Sequence, residues 1–161
     1  MNVGRWLMPA SVAALVTSVI AALGATITLL GPWYHSLVQP SWAPPDMAFG
    51  PAWTLIFALC AISAATAWMA APTRDTANML IGLYAFNGFL NLLWSFLFFR
   101  FQRPDIAAVQ VWVLWLSVAV LILVTRRYSR AAAWLLLPYL LWVSFAGALN
   151  VAVAARNGPF G

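Results

Sequence analysis

Asn87, Asn91 and Ser95 recur at four-residue intervals inside an apolar run, with Tyr84 and Trp94 close by. On a helix that spacing places the three polar side chains on one face. Amide and hydroxyl groups so aligned in an apolar setting either bond a neighbouring helix or orient the polar edge of a ligand. A second stripe, Pro138, Trp142, Ala146 and Asn150, has the same spacing. There the small residues Ala146 and Gly147 leave room beside the Trp142 ring, for another helix or for a ligand. Trp53 and Phe57 form a third pair at i, i+4. Indole offers a flat apolar face and one N–H donor. Rings of this kind with a few asparagines suit a large, flat, mostly apolar molecule.

Other chemistries lack their groups. No Asp, Glu, Lys, Arg or His falls inside an apolar run, whereas proton-coupled pumps need titratable groups at membrane depth. Metal hydrolysis and Ser-His-Asp catalysis lack ligands and bases. His35 is the sole histidine, and it reads as an interface residue rather than a haem ligand. Cys60 is the sole cysteine, so neither an internal disulfide nor a Cys-x-x-Cys motif exists. No metal and no cofactor is expected. The basic residues are all arginine, placed singly or in one small group at the ends of apolar runs. That is an anchoring pattern rather than a basic stripe, and it excludes nucleic acid as a partner.

The elements that must position these residues follow from composition. Of 161 residues, 65% are hydrophobic and 7% charged. A soluble domain carries nearer about a quarter charged residues, so the solvent on most sides is lipid. At about 20 residues per span, the chain divides into helices over 6–30, 51–71, 76–99, 105–125 and 131–155. The expected fold class is all-α, a single membrane domain over 1–161 built as a bundle of five transmembrane helices. Pro9 is expected in the first turn of the first helix, and Pro138 is expected to kink the last. The run from Trp6 to Leu30 exceeds the usual signal-peptide core of about 7–15 residues, so it reads as a span. Between the first two spans, 31–49 holds Pro32, Pro40, Pro44 and Pro45 with Trp33, Tyr34, Trp42 and Phe49 between them. Proline there prevents regular helix, and the rings predict a folded lid on one membrane face.

An odd number of spans puts the termini on opposite sides. Arg5, Arg74, Arg126, Arg127 and Arg130 then share one side; Arg100, Arg103 and Arg156 share the other, with the lid. The excess of positive charge on the first side predicts a cytoplasmic N-terminus. Ala14, Ser18 and Ala22 on the first helix have the spacing of a close helix–helix contact, either between two copies of the chain or inside the bundle.

Several segments read in order as one series: Trp33-Tyr34, Pro40-Ser41-Trp42-Ala43-Pro44-Pro45, Phe49-Gly50-Pro51-Ala52-Trp53-Thr54, Asn91-Leu92-Leu93-Trp94-Ser95 with Phe98-Phe99, and Pro138-Tyr139-Leu140-Leu141-Trp142 leading to Ala146 and Leu149-Asn150. This series resembles the tryptophan-rich sensory protein, or translocator protein, family over nearly the whole chain. The resemblance implies five transmembrane helices, often a homodimer, in what reads as a bacterial membrane. It implies binding of porphyrins such as protoporphyrin IX, and of benzodiazepine-type and isoquinoline carboxamide drugs, in a pocket under the first loop. By resemblance, Trp53, Asn91 and Trp142 match the family's pocket residues, and Tyr34, Phe57, Asn87, Trp94, Ala146 and Asn150 are positioned to line it. The expected function is a porphyrin-binding receptor or sensor. The alternatives are a light-dependent porphyrin-degrading enzyme, with Trp53 and Trp142 as its catalytic residues, or a translocator of tetrapyrroles or sterols. Two departures stand out. Asn87 occupies a position where the family commonly has Gln. No Tyr precedes Arg156 where animal members carry a cholesterol motif; Val124, Tyr128 and Arg130 fit only the loose form of that pattern.

Overall fold

The computed structural model describes residues 3–28 and 30–160. Among these, five helices are long and apolar enough to cross a membrane. α1 spans Val3–Ile27, three residues earlier at each end than the sequence suggested. Its N-terminal shift moves Pro9 from the first turn into the second, where it removes one intrahelical hydrogen bond. Leu29, within the expected range of this helix, lies outside the described residues, as does the side chain of Arg5.

The lid contains more helix than its prolines allowed for. α2, Pro32–Ser36, is a single turn that opens on its proline, the one helical position where a missing N–H costs nothing. It buries Tyr34. A 3-10 turn over Asp46–Ala48 then leads into α3, Phe49–Ala70. Pro72 stops α3. Thr73 caps the next helix, its hydroxyl accepting from the Thr76 amide at 3.2 Å, and Asp75 sits in the first turn, where the helix dipole favours an anion. That helix, α4, covers Arg74–Ser95 and runs on into a π-helical turn, Phe96–Arg100.

α5 spans Pro104–Arg126. Its residues Ala107, Val111, Leu114, Val118 and Leu121 are all buried. Steps of three and four residues make them one stripe, the seam that knits the bundle. The last span, Arg130–Asn157, is interrupted once, near the expected Pro138 kink. α6, Arg130–Leu135, ends at Leu136, and α7, Leu137–Asn157, starts with Pro138 in its first turn. The proline ring excludes the carbonyl four residues back, so the chain restarts there.

α1 packs on α3 and α4, α5 on α4 and α7, and α6 on α3 and α5. Gly147 lets α5 and α7 approach, since a Cβ built there meets the Val111 side chain at 3.4 Å. The faces turned outward are apolar: Leu15, Val19 and Leu23 on α1, and Val109, Leu116 and Leu123 on α5, are exposed, as lipid contact requires. The chain is a multi-pass integral membrane protein. The lid is tied to the far end of the bundle. Asn157 accepts from the Val38 amide at 2.7 Å and donates to the Val38 carbonyl at 3.0 Å. The lid and the C-terminal end of α7 therefore lie on one side of the membrane, as an odd number of spans demands.

Candidate functional site

Trp53 stands one turn into α3, and its ring touches rings from three helices. It stacks on Phe57 with centroids 5.6 Å apart and planes at 26°. It meets Trp94 of α4 at 6.3 Å, and Tyr139 and Trp142 of α7 at 6.3 and 6.2 Å. From Trp142 the ring contacts continue to Phe145 at 5.5 Å and on to Trp42 in the lid at 5.8 Å. From Trp94 they continue to Phe99 and then to Tyr34. Lid rings Tyr34 and Trp42 are thus joined to Trp53, Trp94 and Trp142 of the spans in one connected cluster. Edge-to-face and offset contacts of this kind add to plain area burial.

Three cavities border this cluster. The largest, 590 Å³, lies between α1, α3 and α4. Trp53 and Phe57 wall it on one side, Thr17, Ser18 and Gly24 on the other, Asn91 and Ser95 line it from α4, and Asp46 of the lid borders it. A second cavity of 160 Å³ holds Phe57, Asn87, Asn91, Tyr84 and Tyr139. A third, only 50 Å³, lies under the lid among Tyr34, Gln39, Trp53, Trp94, Ala146 and Asn150. Trp53 borders the first and third, and Asn91 borders the first and second. The 590 Å³ volume falls in the range of about 300–1,000 Å³ usual for small-molecule sites.

The polar residues divide by partner. Asn150 is 1% exposed; its oxygen accepts from the Trp94 indole N–H at 3.0 Å and its amide donates to the Pro104 carbonyl at 2.8 Å. It ties α7 to both α4 and the start of α5. Asn87 donates to Ser117 of α5 at 2.8 Å. Both do the interhelical work that polar groups perform in membranes. Asn91 makes one long amide bond to the Tyr139 hydroxyl, 3.3 Å, and its oxygen, like that of Asn87, accepts from none of the described donors. Of the asparagine row, it is the member with hydrogen-bonding capacity to spare beside the largest cavity.

Trp142 borders none of these cavities. Its ring lies edge-on to Trp53 and packs on Phe49, while its indole N–H is buried without a partner. The two small residues beside it split their duties. Gly147 faces Val111 and Trp112 of α5, so another helix packs there. Ala146 faces the small cavity under the lid.

Among the lining residues, Gln39 carries almost no sequence signal of its own. Gln39 has both amide atoms buried and unpartnered and lines the smallest cavity; a lone polar residue between Val38 and Pro40 was the only hint. Ala14 and Ser18 line the largest cavity, whereas Ala22 on the same row does not. Tyr34 is 7% exposed. Burial, and then the nearby Asp46 carboxylate, raise its pKa, so its hydroxyl is a neutral donor at physiological pH.

The family model described as the TspO/MBR family matches residues 11–156. A tryptophan-rich protein TspO from Chlorobaculum tepidum is 38% identical over 126 residues, 78% of this chain and 80% of that protein. One from Archaeoglobus fulgidus is 36% identical over 150 residues, covering 89% and 96% of the two chains. The translocator protein of Bos taurus is 33% identical over 119 residues, covering 73% and 70%. With a match that runs from α1 to the end of α7, the chain belongs to the TspO/MBR family.

Proposed function

We propose that this protein is a membrane receptor or sensor that binds a porphyrin-like tetrapyrrole in the cavity between α1, α3 and α4. The observation that carries the reading is the 590 Å³ space walled by the stacked Trp53–Phe57 pair and lined by Asn91 and Ser95. A flat macrocycle lies against the indole face of Trp53, and its polar edge takes the free capacity of the Asn91 amide. Trp53 and Trp142 touch edge-to-face, so the ligand takes the cavity face of Trp53, and Trp142 acts by backing that ring. The family's names for its members, sensor and translocator, accord with binding as the shared event.

Protoporphyrin IX titrated into the purified protein in lipid is expected to quench tryptophan emission saturably. Trp53→Ala removes the stacking face and is expected to weaken binding at least tenfold, which is about 1.4 kcal/mol. Trp142→Phe, which keeps a ring behind Trp53, is expected to bind within about threefold of wild type. Wild-type affinity in Trp53→Ala, or saturable quenching by a sterol and none by porphyrin, overturns the reading.

A second reading, light-driven oxidation of bound porphyrin by dioxygen, is favoured by one contact: two oxidisable indoles, Trp53 and Trp142, lie 6.2 Å apart. Illumination of the loaded protein tests it. Loss of porphyrin absorbance with a defined product, abolished in Trp142→Phe, supports it; bleaching at equal rate in both proteins removes it.

The homodimer belongs to the same proposal. Ala14, Ser18 and Ala22 are exposed on α1, and small residues permit close approach of a second copy. A partner there would close the open side of the cavity. Cross-linking in lipid that yields only monomer over a wide concentration range counts against it.

A further inference from the structure

On the membrane face opposite the lid, a 380 Å³ cavity opens between α5 and α6, lined by Ile122, Arg126, Arg130, Ala133, Trp134 and Leu137. Its polarity is ordered along the membrane normal. Ile122 and Arg126 are four residues apart on α5 as that helix approaches the surface. Arg130 and Trp134 are four residues apart as the chain turns back into the membrane through α6. Each pair shares a helix face, with the cation at the surface end and the apolar partner one turn deeper. Leu137, at the break between α6 and α7, lies deeper still. Trp134 is 69% exposed, an amphipathic ring at the level of the lipid headgroups.

The two guanidiniums have no internal use. Among the described residues the ion pairs are His35–Asp46 and Arg103–Asp105, and Arg156 donates to the Ala152 carbonyl. Among the described residues, neither Arg126 nor Arg130 has an ion-pair or side-chain hydrogen-bond partner. The one carboxylate on this side of the membrane, Asp75, is outnumbered by Arg74, Arg126, Arg127 and Arg130. Two unpaired planar cations lining one cavity suit a phosphate, since each guanidinium can present parallel N–H donors to its oxygens.

We propose that this cavity is a binding site for one anionic phospholipid, its headgroup phosphate between Arg126 and Arg130 and its acyl chains running down Ile122 and Leu137 beside Trp134. The shared chemistry with a free phosphate is the anion. The apolar lower wall favours a lipid, because a soluble anion leaves that wall unused.

The test uses the full chain in mixed micelles with equal amounts of phosphatidylglycerol and phosphatidylcholine. Native mass spectrometry counts the lipids retained. Wild type is expected to keep one phosphatidylglycerol in preference to phosphatidylcholine by about tenfold or more, from two cations near the surface. Arg126→Gln/Arg130→Gln is expected to lose that preference to within about twofold. Arg127→Gln, which borders no part of the cavity, is expected to keep it, which separates the site from general charge attraction. If the double variant misfolds, the single substitutions decide, each expected to cost about threefold. Inorganic phosphate in excess is expected to leave the lipid bound. Absence of a preference in wild type, equal loss in Arg127→Gln, no loss in the Arg126 and Arg130 variants, or displacement by phosphate alone overturns the proposal.

Discussion

Asn150 borders the small cavity under the lid, yet both ends of its amide are engaged by the protein itself. Replacing it with leucine keeps the branched shape, adds some bulk, and strands two buried groups, the Trp94 N–H and the Pro104 carbonyl. Each stranded group costs about 1–3 kcal/mol, so Asn150→Leu is expected to lose about 2–6 kcal/mol of stability, read as an early thermal transition in lipid. A ligand contact alone predicts another pattern, normal melting with weakened porphyrin binding. Asn91→Leu strands one buried group, the Tyr139 hydroxyl, in place of two, and is expected to melt closer to wild type than Asn150→Leu while weakening porphyrin binding. The position of Asn91 was legible from spacing, but the division of labour within the row was not. Spacing fixes which residues share a face; it does not say what the facing helix offers. Ser117 on α5, Pro104 at its start and Tyr139 on α7 decide that, and they come from parts of the chain 30, 46 and 48 residues away from their partners.

The elements were readable where apolar runs met prolines, and misread where proline had two possible effects. Pro138 reads as a kink, and the last span is interrupted at Leu136, two residues before it, with Leu136 still in the right-handed helical region. Pro32 reads as a helix breaker, and it opens α2. Proline forbids an interior position but fits a first turn, and only tertiary packing selects between the two. Gly147 poses a similar choice between packing and space, and α5 fills it. Gly147→Leu therefore overpacks the α5–α7 contact, where even a Cβ lies 3.4 Å from Val111. It is expected to cost about 1–3 kcal/mol, with the helices still formed by circular dichroism and the transition shifted down. A larger side chain tolerated there with no shift would mean that α5 and α7 do not pack as described.

For the whole molecule, the distribution of ends follows from the number of spans and is fixed independently by the Asn157–Val38 contact. Single cysteines introduced at Ser36 in α2 and at Gly158 after α7 are expected to react with a membrane-impermeant maleimide from the same side. Cysteines at Arg74 and Arg127 are expected to react from the other. Labelling of Ser36 and Gly158 from opposite sides is incompatible with five spans. Which of the two sides is cytoplasmic follows from the same data in intact cells, where the arginine excess predicts the Arg74 and Arg127 side.

The pair of hydrogen bonds between Asn157 and Val38 also has a kinetic meaning. It closes a circuit of 119 residues and makes the last turn of α7 a latch for the loop that overhangs the tryptophans. Two solvent-accessible bonds hold it, each worth about 0.5–1.5 kcal/mol net. Asn157→Ala should raise the open population by about tenfold, which corresponds to about 1.4 kcal/mol. If the loop is the gate, association and dissociation accelerate together and the ratio of the two stays nearly constant. Stopped-flow quenching by protoporphyrin reads this directly. Unchanged rates in both directions would mean that ligands come and go through the lipid-facing side between α1 and α3, past a latch that never has to open.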